Sequence, residues 1–245
     1  MRNALRLLKQ FTAEDPIRGV SELAQQLGMA KSTTHRLLTT LKAEGFVRRT
    51  EDGFYALGLS LWELGSCMIQ GLQLREVAHP VIEELRNSTR ETTHLGVLDG
   101  TEVVYIDRVE SGSMLTLFRR IGHRMPAHAT STGKAILAFS PPEIVGRVLA
   151  TGLREVGPRT ITNESAFQAT LARVRLDGYS QSFEESERGA ASVGAPVFDH
   201  GGNVVGAVSV AVPVARLPKG TFPPDLPRQV RAAADRISRT IGYHR

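Results

Sequence analysis

Over the first seventy positions the apolar residues recur mostly with a helical period. Ala4, Leu7, Leu8 and Phe11 share one face of a first helix over Arg2 to Phe11. Asp15-Pro16 and Arg18-Gly19 mark a connecting loop. Ser21 is placed to cap a second helix, in which Leu23, Ala24 and Leu27 fall at i, i+1 and i+4. Gly28 suits the left-handed position that ends a helix, and Met29-Ala30 completes a tight turn. Thr34, Leu37, Leu38 and Leu41 then repeat at i, i+3, i+4 and i+7, the buried stripe of a third helix. Its opposite face carries Ser32, Arg36 and Thr39, flanked by Thr33, His35 and Thr40, with no acid among them. A solvated helix ordinarily mixes glutamate with lysine, whereas short hydroxyl and cationic side chains suit base edges and phosphates. The pattern predicts a helix-turn-helix with a DNA-recognition helix. An ordinary helical hairpin with a polar outer face is the bland alternative.

The next segment favours the former. Gly45 ends the helix, and Phe46-Val47-Arg48-Arg49 and Phe54-Tyr55-Ala56-Leu57 flank Asp52-Gly53, a hairpin signal. A two-stranded wing with Arg48 and Arg49 at its base makes the module a winged helix-turn-helix. Beyond it, Leu57, Leu61, Leu64 and Met68 recur at spacings of four, three and four, with Trp62 and Ile69 beside them. Such a heptad-like seam on a short helix is a candidate dimer contact, or else packs on its own chain. Gly71 marks the end of that helix.

A longer helix from about Leu72 to Thr89 aligns Leu74, Val77, Val81 and Leu85. The pattern then changes to strands at Thr93–Leu98, Glu102–Val109 and Met114–Phe118, the first two joined by Asp99-Gly100-Thr101. Ser131–Phe139 reads as a helix. Ser140-Pro141-Pro142-Glu143 predicts a capping box for the next, and Asn163 caps another that stops at Gly178. Gln181–Phe183, Val193–Phe198 and Val204–Val212 return to strand. A proline-rich turn over Pro213 to Pro227 leads to a last helix with Val230, Ala234, Ile237 and Ile241 in register. Strands, then helices, then strands predict an α+β domain with an antiparallel sheet.

Composition narrows the class. The 245 residues are 41% hydrophobic and 22% charged, as in globular proteins, and no apolar run is long enough to cross a bilayer. The basic start lacks a small-residue cleavage site and is not read as a signal peptide. One cysteine, Cys67, excludes an internal disulfide and a cysteine-rich zinc site, and a reducing cytoplasm suits it. Residues 1–57 hold nine Lys/Arg against six Asp/Glu, or +3, while the remaining 188 hold twenty-one against nineteen, or +2. Positive charge is densest where the nucleic-acid module is placed.

Four stretches, LAQQLGMAKSTTHRLLTTLKAEGFVRR, GFYALGLSLWELG, MPAHATSTGKAILA and GAPVFDHGGNVVGAVSV, resemble the IclR-type bacterial transcriptional regulators, and the order of parts matches over essentially the whole chain. The resemblance implies a winged helix-turn-helix over 1–57, a dimerising linker helix over 58–71 and a GAF-like effector-binding domain over 72–245. It implies a homodimer or dimer of dimers on double-stranded DNA, more often a repressor, answering a small organic acid. It also implies an effector pocket at Met114, Leu117, Met125, Ser131, Thr132, Ser192, Ser209 and Ala211. Where relatives often carry an aspartate after the Gly178-Tyr179 strand, this chain has Ser182, so the effector's identity does not carry over.

The residues themselves allow that pocket. Thr130-Ser131-Thr132-Gly133 precedes a helix, whose N–H groups and dipole can receive an anion; capping alone is the plainer role. Met114, Leu117 and Met125 would form an apolar wall, and the serine and threonine hydroxyls a few fixed contacts. Arg119, Arg120, His123 and Arg124 could draw in a carboxylate or simply face solvent. An enzyme fused to a helix-turn-helix is the second class. Thr132-Gly133-Lys134-Ala135 resembles a P-loop, but His128 stands where glycine is needed and Ala135 where a hydroxyl must hold Mg²⁺. A hydrolase built on Ser131, His128 and a glutamate lacks the nucleophile elbow. His94, His123, His128 and His200 show no ligand spacing, and no cofactor or metal is expected. Glu184, Glu185 and Glu187 read as a solvated acidic loop. The predicted DNA-binding set is Lys31, Ser32, Thr33, Thr34, His35, Arg36 and Thr39, with Arg48, Arg49 and Tyr55 of the wing.

Overall fold

The computed structural model describes residues 1–12, 14–70, 73–111, 121–217 and 220–243, and the chain divides into two units, Met1–Leu72 and Gln73–Arg245. In the first, α1 (Arg2–Leu8), α2 (Val20–Leu27) and α3 (Lys31–Ala43) enclose a core of Leu7, Phe11, Leu23, Leu27, Leu38, Val47 and Tyr55. Each side chain buried this way contributes about 1.5–3 kcal/mol. Helix α2 ends at Gly28 with φ 65°, a conformation costly for any residue with a Cβ, and the Met29 N–H closes the turn onto the Ala24 carbonyl at 2.9 Å. The cap at its start differs from expectation. Gly19 occupies the N-cap position, and Ser21 lies inside the helix.

The wing is three-stranded. Strands β2 (Val47–Arg49) and β3 (Tyr55–Leu57) pair antiparallel, and β1 (Ile17–Arg18), expected as loop, adds to the other side of β3. Helix α4 (Leu59–Gln70) comes next. Its start is tied to the end of α3: the Gly58 N–H donates to the Phe46 carbonyl at 2.8 Å and the Ser60 hydroxyl to the Glu44 carbonyl at 3.0 Å. Of the leucine seam, Leu61 is half-buried and Leu57 and Leu64 are exposed, as are Leu59 (77%) and Trp62 (71%). Gly71 and the side chains of Met68 and Ile69 lie outside the described residues.

The second unit is built on one six-stranded antiparallel sheet in the order β6-β5-β4-β9-β8-β7. Its strands are β4 (Thr92–Asp99), β5 (Glu102–Val109), β6 (Arg124–Pro126), β7 (Ser180–Phe183), β8 (Ala190–Phe198) and β9 (Val204–Pro213). Period-two alternation sorts the side chains. Leu95, Val193, Val197, Val208 and Val210 face α5 (Gln73–Thr89) and α9 (Asp225–Thr240), meeting Ile82, Leu85, Val230 and Ile237. The opposite face receives α6 (Ser131–Phe139), backed by α7 (Pro142–Ala150) and α8 (Glu164–Asp177), around Phe167, Leu171 and Leu137.

Three features depart from the sequence expectation. The short edge strand β6 adds to the strands that alternation predicts. The capping box at Ser140 and Glu143 does not form: Pro141 is the N-cap of α7, and the Ser140 hydroxyl donates backwards to the Ile136 carbonyl at 2.9 Å. Pro227 belongs to the first turn of α9, where a missing N–H costs nothing. The strand expected at Met114–Phe118 lies outside the described residues.

Candidate nucleic-acid interface and ligand cleft

Helix α3 turns one face to its core and the other to solvent. Lys31, Ser32, Thr33, His35, Arg36, Thr39 and Thr40 are all exposed. The Thr39 and Thr40 hydroxyls donate back to the His35 and Arg36 carbonyls, at 2.9 and 3.1 Å. Among the described residues, no hydrogen bond or ion pair ties down the side chain of Lys31, Ser32, Thr33, His35 or Arg36. These are polar groups held in a row on one helix, without a partner among the described residues. Arg48 and Arg49 on β2 are exposed as well. Two members of the predicted set are corrected by burial. Thr34 is fully buried and donates to the Ala30 carbonyl at 3.2 Å, while Tyr55 is 3% exposed in the core beside Leu38 and Val47. Both stand on the inward side of their elements, so neither reaches the outer face.

In the second unit the N-terminal turn of α6 is pressed against the sheet. A Cβ on Gly194 would lie 2.8 Å from the Ser131 carbonyl oxygen, so only glycine lets the helix sit this close. The Thr130 hydroxyl caps the helix through the Gly133 N–H at 2.9 Å. Ser131 donates to Ser192 at 2.7 Å, and Thr132 to Ser209 at 2.9 Å. Beside this seam a cleft opens between sheet and helix. It encloses about 410 Å³ including its mouth. Ser192, Ser209 and Ala211 line it, as expected from the sequence, together with Thr130. Ser131 and Thr132 stand behind, their hydroxyls turned to the two serines. Met125 packs instead into the core under α8, and Met114 and Leu117 lie outside the described residues.

Sequence reasoning missed four other polar lining residues, His94, Tyr105, Ser186 and Glu187. Strand alternation was the signal for the first two: His94 is the register partner of Ser209, and the rings of His94 and Tyr105 lie 5.1 Å apart. The others sit on a loop read as solvated, and that reading is corrected. Glu185 is buried, and both its oxygens accept from Lys134 Nζ, at 2.5 and 2.6 Å. Lys134 is 1% exposed. Burial pushes the Lys134 ammonium down and the Glu185 carboxyl up, each opposed by attraction to the other. A lysine so engaged cannot reach a phosphate. The hydrolase arrangement is also spoken for, because His128 Nε2 bonds the Arg154 carbonyl at 2.9 Å and Ser131 is committed to Ser192. Arg124 pairs with Asp99 and Glu102, at 2.6 and 2.9 Å. Among the described residues no group of three His, Cys, Asp or Glu could hold a metal ion.

Both units match families of known proteins. The helix-turn-helix model of the IclR type matches residues 2–51, and the C-terminal model of bacterial IclR regulators matches residues 67–239. The chain belongs to the IclR family of bacterial transcriptional regulators. The regulator KdgR of Escherichia coli is 35% identical over 237 residues, covering 96% of this chain and 90% of its own. The transcriptional repressor IclR of the same organism is 34% identical over 221 residues, covering 89% and 81%. An IclR homologue from Microbacterium hydrocarbonoxydans, solved in complex with 4-hydroxybenzoate, superposes with a TM-score of 0.87 at 29% identity, covering 98% of this chain and 97% of its own. The matched families and relatives are regulators of transcription, not enzymes. No helix among the described residues is long and apolar enough to cross a membrane.

Proposed function

We propose that this chain is a cytoplasmic, effector-responsive regulator, acting by repression as the repressor IclR of Escherichia coli does, that binds a pseudo-palindromic operator as a homodimer or dimer of dimers. Residues 1–57 bind DNA, 58–71 link, and 72–245 take the effector. The observation that carries the DNA half is the row of exposed, uncommitted polar side chains on α3. With α3 in a major groove, Ser32 and Arg36 meet base edges. Lys31, Thr33, His35 and Thr39 meet phosphates or flanking bases, and Arg48 and Arg49 of the wing approach the backbone. Two-fold pairing is supported by Leu57, Leu59, Trp62 and Leu64, apolar side chains exposed along and before α4. A small organic acid occupies the cleft at Ser192, Ser209 and Ala211, as the 4-hydroxybenzoate complex of the Microbacterium homologue suggests by likeness. It acts by favouring one arrangement of the DNA-binding units, a coupling of about 1–3 kcal/mol.

Arg36→Ala tests the DNA half. It should weaken operator binding by about 1–3 kcal/mol and relax specificity at one base position, read by footprinting on the native promoter at fixed salt. An unchanged footprint would remove Arg36, and with it this docking of α3.

A further inference from the structure

Away from the cleft, the second unit carries a groove between α7 and α8. On α7, Pro142, Val145, Gly146 and Leu149 fall at i, i+3, i+4 and i+7, and on α8 Gln168, Leu171 and Arg175 fall at i, i+3 and i+7, so each helix turns one stripe to it. The groove holds about 840 Å³ counted out to its open side, within the range of small-molecule pockets. Val145 and Leu149 are half-buried along it and Leu171 is buried. Gly146 leaves the middle bare, because a Cβ there would meet nothing within 4 Å. Pro142 to Leu149 spans about 10 Å of helix. Among the described lining residues, Arg175 alone carries a charge. Its Nε donates to the Ala138 carbonyl, which fixes the guanidinium, and its Nη hydrogens have no partner among the described residues. Ala138 closely precedes Pro142 in the chain, so the charge stands where α7 begins and the apolar positions lead away from it. Gln168, the other polar lining residue, already donates to Glu164 at 3.1 Å.

We propose that this groove is a second small-molecule site, one that takes a medium-chain alkanoate with its carboxylate on the Arg175 Nη groups and its alkyl chain along Val145, Leu149 and Leu171. A guanidinium meets a carboxylate through two parallel N–H···O bonds, and such charge-assisted pairs are stronger than neutral ones. With Nε held by Ala138, the approach left open is end-on, through the two Nη groups. The arginine is ordered before the ligand arrives, which lowers the cost of binding. One cation at one end of an apolar slot is complementary to one anionic head with one tail. Each methylene that leaves water for the slot strengthens binding, so affinity rises with chain length until the groove is full. A short acid lacks that tail, and an alkylammonium brings like charge against Arg175. None of the lining residues lines the cleft, so an alkanoate here binds independently of the effector.

The test titrates octanoate, butyrate and octylammonium into the full chain by calorimetry, and octanoate into Gly146→Leu, Arg175→Gln and Ser209→Leu. Octanoate should bind, butyrate at least roughly tenfold more weakly, and octylammonium not at all. Gly146→Leu fills the groove from an exposed helical position with room for the side chain, and leucine is the better helix former. It should abolish octanoate binding without lowering the unliganded melting temperature. Arg175→Gln should weaken octanoate roughly tenfold, the scale of one hydrogen bond to a charged group, and Ser209→Leu in the cleft should leave it unchanged. Octanoate that binds Gly146→Leu as it binds the unaltered chain, that is lost on Ser209→Leu, or that does not bind at all overturns the proposal, as does tighter binding of octylammonium. If octanoate fails to bind while Gly146→Leu changes the sedimentation of the unliganded chain, the groove is an interface between copies and the alkanoate site falls. Gly146→Leu keeps the test decisive should Arg175→Gln fail to fold for want of the bond to Ala138.

Discussion

Helices α3 and α6 begin with the same residue types and meet opposite fates. One opens Lys31-Ser32-Thr33-Thr34, the other Ser131-Thr132-Gly133-Lys134 behind its cap Thr130. Lys31, Ser32 and Thr33 stand in solvent, whereas Ser131, Thr132 and Lys134 are buried and each has a partner within the chain. The cause lies in the next two turns of each helix. After the polar start of α3, apolar side chains return on a single stripe of Leu37, Leu38 and Leu41. After that of α6 come Ala135-Ile136-Leu137-Ala138-Phe139, apolar on every side, and a helix apolar all round is enclosed. Enclosure carries the polar start inside with it, where each group must be paired. Lysine and hydroxyls at a helix start are therefore an interface in one place and a brace in the other, decided by the residues C-terminal to them.

The lysines give the widest separation. Lys134→Met leaves Glu185 buried without its cation and should cost about 3–5 kcal/mol in equilibrium urea unfolding. Lys31→Met, on the open helix, should change stability by no more than about 0.5 kcal/mol. Adding Glu185→Leu to Lys134→Met should restore most of the loss, since a pair replaced by apolar side chains leaves no orphaned charge. Equal costs for the two single substitutions would dissolve the contrast.

The caps come next. Thr130 caps α6 with its side chain, and Thr130→Ala should lower stability by about 0.5–2 kcal/mol. Helix α3 has no side-chain cap: Ala30 occupies that position with extended backbone, φ −63° and ψ 141°. Ala30→Ser should accordingly raise the melting temperature, by a gain of about 0.5–1 kcal/mol. A loss on Ala30→Ser would mean that α3 starts elsewhere than Lys31.

The same contrast explains what could be read from the chain unaided. The α3 stripe, the Asp52-Gly53 hairpin and the alternating runs of β4, β5, β8 and β9 are local signals, and local periodicity carries them. Strand β1 has two residues and β6 three, too short for a period of their own; their partners β3 and β5 define them. Glu185 sits among acids, which from the sequence suggests solvent. Its burial is set by Lys134, 51 residues away. A lysine inside an otherwise apolar helix does demand a buried acid, and that demand was the available signal. His94 and Tyr105 needed the register of three strands to be placed beside Ser209. Met125 went to the α8 side because its register partner Val103 already faces that core. Thr34 and Tyr55 failed as contacts for the same reason that Leu38 succeeded as core: they share its side.

The smallest effect concerns His128, 3% exposed at the turn before α6. Burial holds its imidazolium below the ordinary 6.5, the bond to the Arg154 carbonyl acts against this, and the charges of Arg154 and Lys134 reinforce it. The unfolded chain then binds the proton more readily than the folded one. This contribution to stability is complete above about pH 6.5 and is lost as pH falls from there to the lower folded value. Glu185 works in the opposite sense, because a carboxyl raised above 4.5 favours the fold most at low pH and loses that contribution as pH rises through its folded value. The two are separated by subtraction. Melting temperatures of the unaltered chain and of His128→Gln, taken from pH 8 to pH 5, should run parallel above pH 6.5 and converge below it. Parallel curves throughout would mean that the enclosure of α6 stops short of the turn that leads into it.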